Sequence, residues 1–148
     1  MQEDEPRSFA SPPCYLADFE DPEPQPSSTP ATIMNKDQLF IIQYNFYDGK
    51  EGPFYCPGCA EVIGLTDFYP ILRAKMDIRR VDYPRPRPAL VNLIGEENQS
   101  CPVLVLAEKP VDPPSHLKIQ EANGHYFVEG ARAIGEYFAH AHSVGVPH

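Results

Sequence analysis

The chain has 148 residues, 21 of them acidic and 12 basic, for a formal net charge of −9. That balance excludes nucleic acid and anionic membranes as main partners, because both need a basic surface. No stretch approaches the ~20 apolar residues of a membrane span, and the length suits one domain.

Residues 1–33 are rich in Pro, Ser, Asp and Glu and poor in aliphatic side chains. Such a segment buries too little apolar surface to offset an ordering entropy of ~1–2 kcal/mol per residue. A disordered N-terminal tail is expected there, with Cys14 as a free thiol. The opening, Met1-Gln2-Glu3-Asp4-Glu5, lacks the basic start and apolar run of a secretory signal. A cytoplasmic protein with reduced thiols is therefore the expectation, and the sequon Asn98-Gln99-Ser100 carries no weight. Met34 opens the foldable region and is a candidate start. Residues 34–148 are expected to form the one folded domain, with a modest core.

Leu39-Phe40-Ile41-Ile42 is continuously apolar, as in a strand buried on both faces. Residues 45–55 form a long loop broken by Asp48-Gly49 and Gly52-Pro53. Its Phe46 and Tyr47 either shape a partner surface or cover the strand edge. Cys56-Pro57-Gly58-Cys59 follows and opens a helical run through Val62, Leu65 and Phe68. That helix should end or kink before Pro70, which disfavours helix at Tyr69. Residues 76–83 read as the second strand, with β-branched Ile78 and Val81. Tyr83-Pro84-Arg85-Pro86-Arg87-Pro88 is a stiff extended connector. Pro88 suits the first position of a helix over residues 89–94, which Gly95 can stop. Pro102 to Leu106 is the third strand. Asp112-Pro113-Pro114 and Asn123-Gly124 frame a loose hairpin connection to a fourth strand over residues 125–128. Residues 131–142 form the last helix, with Ile134, Tyr137, Phe138 and Ala141 as its apolar stripe. The order is β-α-β-α-β-β-α. Strands joined through helices are expected to be parallel, and the last two antiparallel.

A Cys-x-x-Cys pair between a strand and a helix is first of all a redox arrangement. The element order, the cysteine pair opening the first helix and Pro102 opening the third strand together resemble the thioredoxin fold in its small, glutaredoxin-like form. The N-terminal domain of glutathione transferases is similar. The resemblance covers about residues 39–142. It implies an α/β domain with a mixed four-stranded sheet, helices on both faces and a cis peptide bond before Pro102. Ala133-Ile134 are similar to the transferase junction between strand four and helix three. Gly130 and Ala131 stand where the Glu-Ser pair that holds glutathione would be, with Glu129 next door as a partial substitute. More narrowly, Phe54-Tyr55-Cys56-Pro57, the segment from Asp82 to Pro88 and Gly95-Glu96-Glu97-Asn98-Gln99-Ser100 resemble a bacterial family of unknown function built on this fold.

The resemblance implies thiol–disulfide exchange, with Cys56 as nucleophile and Cys59 as the more buried resolving thiol. The unpaired N–H groups and positive dipole at a helix start favour the thiolate, the form that attacks a disulfide. Pro57 lacks an N–H that the helix start does not need. Gly58 leaves the motif open where glutaredoxins often have an aromatic. Cys101, before the proline, is implied to face the pair across the substrate groove. Its backbone would pair with a bound peptide or glutathione. The three sulfurs of Cys56, Cys59 and Cys101 form an alternative metal or iron–sulfur set, in a non-catalytic binding module. Cys101 could also trap Cys56 in a second disulfide, or be a small buried side chain and nothing more. Tyr55 either donates a hydrogen bond beside the nucleophile or packs. Arg85 and Arg87 either clamp a carboxylate of glutathione or are solvated charges on a rigid turn. The expected partners are protein or small-molecule disulfides. No resident cofactor is expected, and glutathione is a possible co-substrate. A transferase-like glutathione binder is the third reading. His140 and His142, two apart on a helix, point to different faces and read as surface residues.

Overall fold

The computed structural model describes residues 34–148. The expected tail and Cys14 lie outside the described residues. The described chain is a mixed α/β unit in the order β1 (Asp37–Ile42), β2 (Phe46–Asp48), β3 (Glu51–Phe54), α1 (Pro57–Phe68), α2 (Ile71–Lys75), β4 (Met76–Val81), α3 (Pro88–Ile94), β5 (Val103–Val105), β6 (Gln120–Ala122), β7 (His125–Glu129) and α4 (Ala131–His142).

The main sheet has five strands in the order β4-β1-β5-β7-β6. β1 and β4 are parallel, with Leu39 opposite Ile78. β5 runs antiparallel to β1, with Leu39 opposite Leu104, and antiparallel to β7. The expectation that helix-linked strands are all parallel therefore fails at β5. The chain starts β5 near the end of the sheet where β4 stopped, after a connection through α3.

The expected four strands are five, because β6 pairs with β7 across a turn at Asn123-Gly124. The 45–55 loop also carries structure: β2 and β3 form a separate two-stranded hairpin. Its Phe46 ring stacks on Tyr83 at 4.4 Å and 9°, and the Tyr83 hydroxyl donates to Asp48 Oδ2 at 3.1 Å. The hairpin is thus fastened to the proline-rich connector.

Strand alternation divides the core between the two faces. Leu39, Ile41, Leu104 and Val128 point to one face, where α1, α2 and α4 add Val62, Leu72, Ile134 and Phe138. Phe40, Val103, Val105 and Phe127 point to the other, where α3 covers them with Leu90 and Ile94, four residues apart on one helical stripe. Phe40 and Phe127 are 2% and 1% exposed, and each such burial contributes about 1.5–3 kcal/mol. α1 ends where Pro70 requires an extended Tyr69, whose ψ is 85°. Its stripe departs from expectation at the end: Thr66 is buried, satisfied by the Ile63 carbonyl at 2.7 Å, whereas Phe68 is 77% exposed. Ala141 of α4 is likewise exposed.

Candidate functional site

Cys56 is the N-cap of α1, and Pro57 fills the first helical position. The Cys56 sulfur accepts the backbone N–H of Cys59 at 3.3 Å, so it occupies the place where a capping oxygen usually sits. Cys56 is half-buried, and Cys59, one turn further on, is buried. The Cys59 sulfur faces the sheet and accepts the Ile42 N–H at the end of β1, at 3.4 Å. Burial pushes the Cys59 thiol up to about 12, and the neighbouring Cys56 adds to the rise.

Gly58 lies between the cysteines for a steric reason. A Cβ there would sit 3.2 Å from Cδ of Pro102 and 3.7 Å from Cβ of Ala131. Pro102 is buried, follows a cis peptide bond, and accepts the Gly130 N–H on its carbonyl at 2.9 Å. The segment before β5 and the start of α4 therefore both close upon the first turn of α1.

Cys101 is brought to the pair. The Cys56 thiol points at the Cys101 carbonyl, 3.9 Å away. The Cys101 sulfur lies 4.0 Å from Nη1 of Arg87. Burial pushes its thiol up to about 11, while the Arg87 and Arg85 charges pull it down. Among the described residues no group of three or more His, Cys, Asp or Glu side chains is arranged to hold a metal ion.

The two connector arginines part company. Arg85 is exposed, but Arg87 is 5% exposed, contrary to the reading of both as solvated or ligand-facing charges. Its guanidinium donates to the carbonyls of Asp82 at 3.0 Å, of Tyr83 at 2.5 Å, and of Gln99. Its own N–H donates to Gln99 Oε1 at 2.6 Å. Gln99, also buried, returns to the Glu96 carbonyl at 2.7 Å. Arg87 is turned inward because this loop of extended chain leaves carbonyls that lack sheet partners, and a five-donor fork can satisfy several at once. Gln99 was not singled out in the sequence. Its place in the Gly95–Ser100 motif was the available signal.

A cleft of about 150 Å³ opens beside both sulfurs, lined also by Ile42, Tyr44, Tyr55, Ile63 and Arg80. Arg80 and Tyr44, which the sequence did not mark, meet there as a cation over a ring at 5.9 Å. Tyr55 and Tyr44, which both line the cleft, are 65% and 62% exposed. Glu129 is exposed at the end of β7, its carboxylate 3.5 Å from Gln120 Nε2, so it is engaged with the neighbouring strand. A larger cavity of about 500 Å³ lies between α1, α4 and residues 145–148, and no cysteine lines it. His142, expected at the surface, is half-buried with its Nε2 buried and without a hydrogen-bond partner.

Among the described residues no helix is long and apolar enough to cross a membrane. No curated protein and no solved structure matches the chain. A family model does match, over residues 36–147, a span that holds both cysteines of the pair, Cys101, Arg87 and Gln99. By that match the chain belongs to the DUF3088 family, described as a protein of unknown function.

Proposed function

We infer that this domain is a thioredoxin-like thiol–disulfide oxidoreductase, with Cys56 attacking and Cys59 resolving. One observation carries the reading: two thiols share a helical turn in opposite environments. Cys56 is half-buried and capped by a backbone N–H, whereas Cys59 is held in the core. The Cys56 sulfur accepts a backbone N–H at the first turn of α1, on the open side of the pair. The inaccessible Cys59 reaches only its neighbour, and attacks the Cys56 sulfur once that sulfur is held in a mixed disulfide. That asymmetry gives exchange its order: Cys56 attacks a substrate disulfide, and Cys59 then displaces the substrate from the mixed disulfide. The sheet order, with parallel β4 and β1 beside antiparallel β5 and β7, supports the thioredoxin-like comparison.

The exposed rings of Tyr44 and Tyr55 beside the sulfurs suit a polypeptide disulfide, since such rings supply contact area at low entropic cost. Glutathione is a weaker substrate under this reading. Arg87 is committed to carbonyls, and Gly130 and Ala131 offer no side-chain donors. Reduction of a model disulfide, followed by thiol release, tests the proposal. Cys56→Ser is expected to lower the rate at least 100-fold. Equal rates in variant and wild type would defeat it.

A further inference from the structure

We propose that Cys101 is a third redox thiol of this site, able to resolve the mixed disulfide on Cys56, with Arg87 supplying the positive charge its thiolate needs. The proposal rests on the dithiol reading above and adds a second exit from the same intermediate.

Two cysteines have their backbones against the Cys56 sulfur, in unlike surroundings. Cys59 is 4% exposed and anchored to the Ile42 N–H. It must leave that contact to attack. Cys101 is half-buried, and its carbonyl is already 3.9 Å from the Cys56 sulfur. Against its own sulfur stands Arg87, at 4.0 Å. The other partners of that guanidinium are neutral carbonyls, and none of the ion pairs among the described residues includes Arg87. A buried cation without an anion is costly. The Cys101 sulfur is the titratable atom in contact with it, so a thiolate there offsets that cost.

Burial is the largest influence on Cys101 and raises its thiol to about 11; the charges facing it are Arg87 and Arg85, which favour its thiolate against that burial, and Cys56, which opposes it; Cys59 interacts with it as a like charge. Once Cys56 is in a mixed disulfide it carries no charge, and that opposition vanishes. Both candidate resolving thiols gain from this, but Cys101 alone has two arginines acting on it. The Cys101 thiolate then attacks the Cys56 sulfur. A Cys56–Cys101 bond forms, and the bond from Cys56 to the substrate sulfur breaks. The electron pair leaves on the substrate sulfur, which takes a proton from water. The proton of Cys101 has gone to solvent beforehand. Over both steps the substrate disulfide is reduced to two thiols, and the two protein thiols are oxidised. An external thiol returns them to the reduced state.

The test uses the full chain in a Cys14→Ser background and one equivalent of an aromatic disulfide. The first aromatic thiolate reports attack by Cys56 and the second reports resolution. Two equivalents of thiolate are expected from the background, from Cys59→Ser and from Cys101→Ser. One is expected from Cys59→Ser/Cys101→Ser, which should stop at the mixed disulfide. Peptide mapping of oxidised Cys59→Ser should show residues 56 and 101 linked. In the Cys59→Ser background, Arg87→Gln should move the pH profile of the second release upward by roughly one unit or more, while Arg87→Lys keeps it closer to the parent. If Cys59→Ser stops at one equivalent while Cys101→Ser gives two, the role of Cys101 is overturned and the dithiol reading stands. If the background itself stops at one, both fall.

Discussion

At the scale of single residues, the contact between Gly58 and Pro102 decides how tightly the site can close. An alanine Cβ at residue 58 would come within 3.2 Å of the Pro102 ring. Alanine improves on glycine in a helix by up to about 1 kcal/mol, but overpacking costs about 1–3 kcal/mol. The obstructing atom belongs to a proline fixed between Cys101 and β5, so it cannot rotate away. Gly58→Ala is therefore expected to lose about 1 kcal/mol net in a denaturant titration. A midpoint equal to or above the wild type would mean that Pro102 yields freely. The sequence made the cysteines and Pro102 legible, because their spacing and neighbours are themselves the signal. It did not reveal why residue 58 is glycine, since that reason is an approach between chain segments 44 residues apart. Nor did it reveal that Arg87 faces inward. Arg85 and Arg87 flank the same proline in similar local sequence, and only the unpaired carbonyls of Tyr83 and Gln99 distinguish them.

At the scale of elements, the longer helical and strand segments were readable where periodicity was long or continuous. Residues 131–142 and 39–42 are examples. The features that escaped are short or nonlocal. β2 and β3 have three and four residues, too few to display a period, and breakers mark their ends as a loop would. β5 runs against β1 and β4, a direction that no local residue pattern encodes. β6 was hidden by its polar composition, Gln120-Glu121-Ala122, although Asn123-Gly124 is the strongest local signal for a hairpin. Both turn residues have positive φ, 50° and 76°, the pairing that a two-residue loop needs to match strand twist. An alanine at residue 124 would carry a side chain in a left-handed conformation that costs about 1–2 kcal/mol. Gly124→Ala should lower unfolding stability by about 1 kcal/mol. Amide exchange should quicken in β6, the edge strand, while the Leu39–Ile41 core stays protected. Unchanged exchange in residues 120–122 would show that the turn does not hold that edge.

At the scale of the molecule, the cysteine cluster and a second group of shifted acid–base residues lie at opposite ends of β1. Ile42 meets Cys59 at one end. At the other, Asp37 accepts the Ala107 N–H at 2.9 Å, and His142 and Tyr137 line the same cavity. The six residues of β1 separate the two regions by about 20 Å, so the pH dependence of stability should be separable from that of the proposed thiol exchange. Burial raises the Asp37 carboxyl, against the opposing Ala107 hydrogen bond and the charge of His142. Burial lowers His142, with Asp37 opposing and Lys75 adding. The two signs differ. His142 binds its proton less readily when folded, so its share of stability is present above the unfolded value of about 6.5 and is lost as pH falls toward the lowered folded value. Asp37 binds its proton more readily when folded. Its share is present below the unfolded value of about 3.9 and is lost as pH rises through the raised folded value. On acidification from pH 8, wild type should first lose stability through His142 and recover part of it when Asp37 takes up its proton. Thermal unfolding of wild type and His142→Gln across pH 8 to 4 checks this. Glutamine cannot protonate, so the variant should lose less stability than wild type just below pH 6.5. Parallel curves for the two proteins would assign the acid response to other groups and leave the unpartnered imidazole without a part in it.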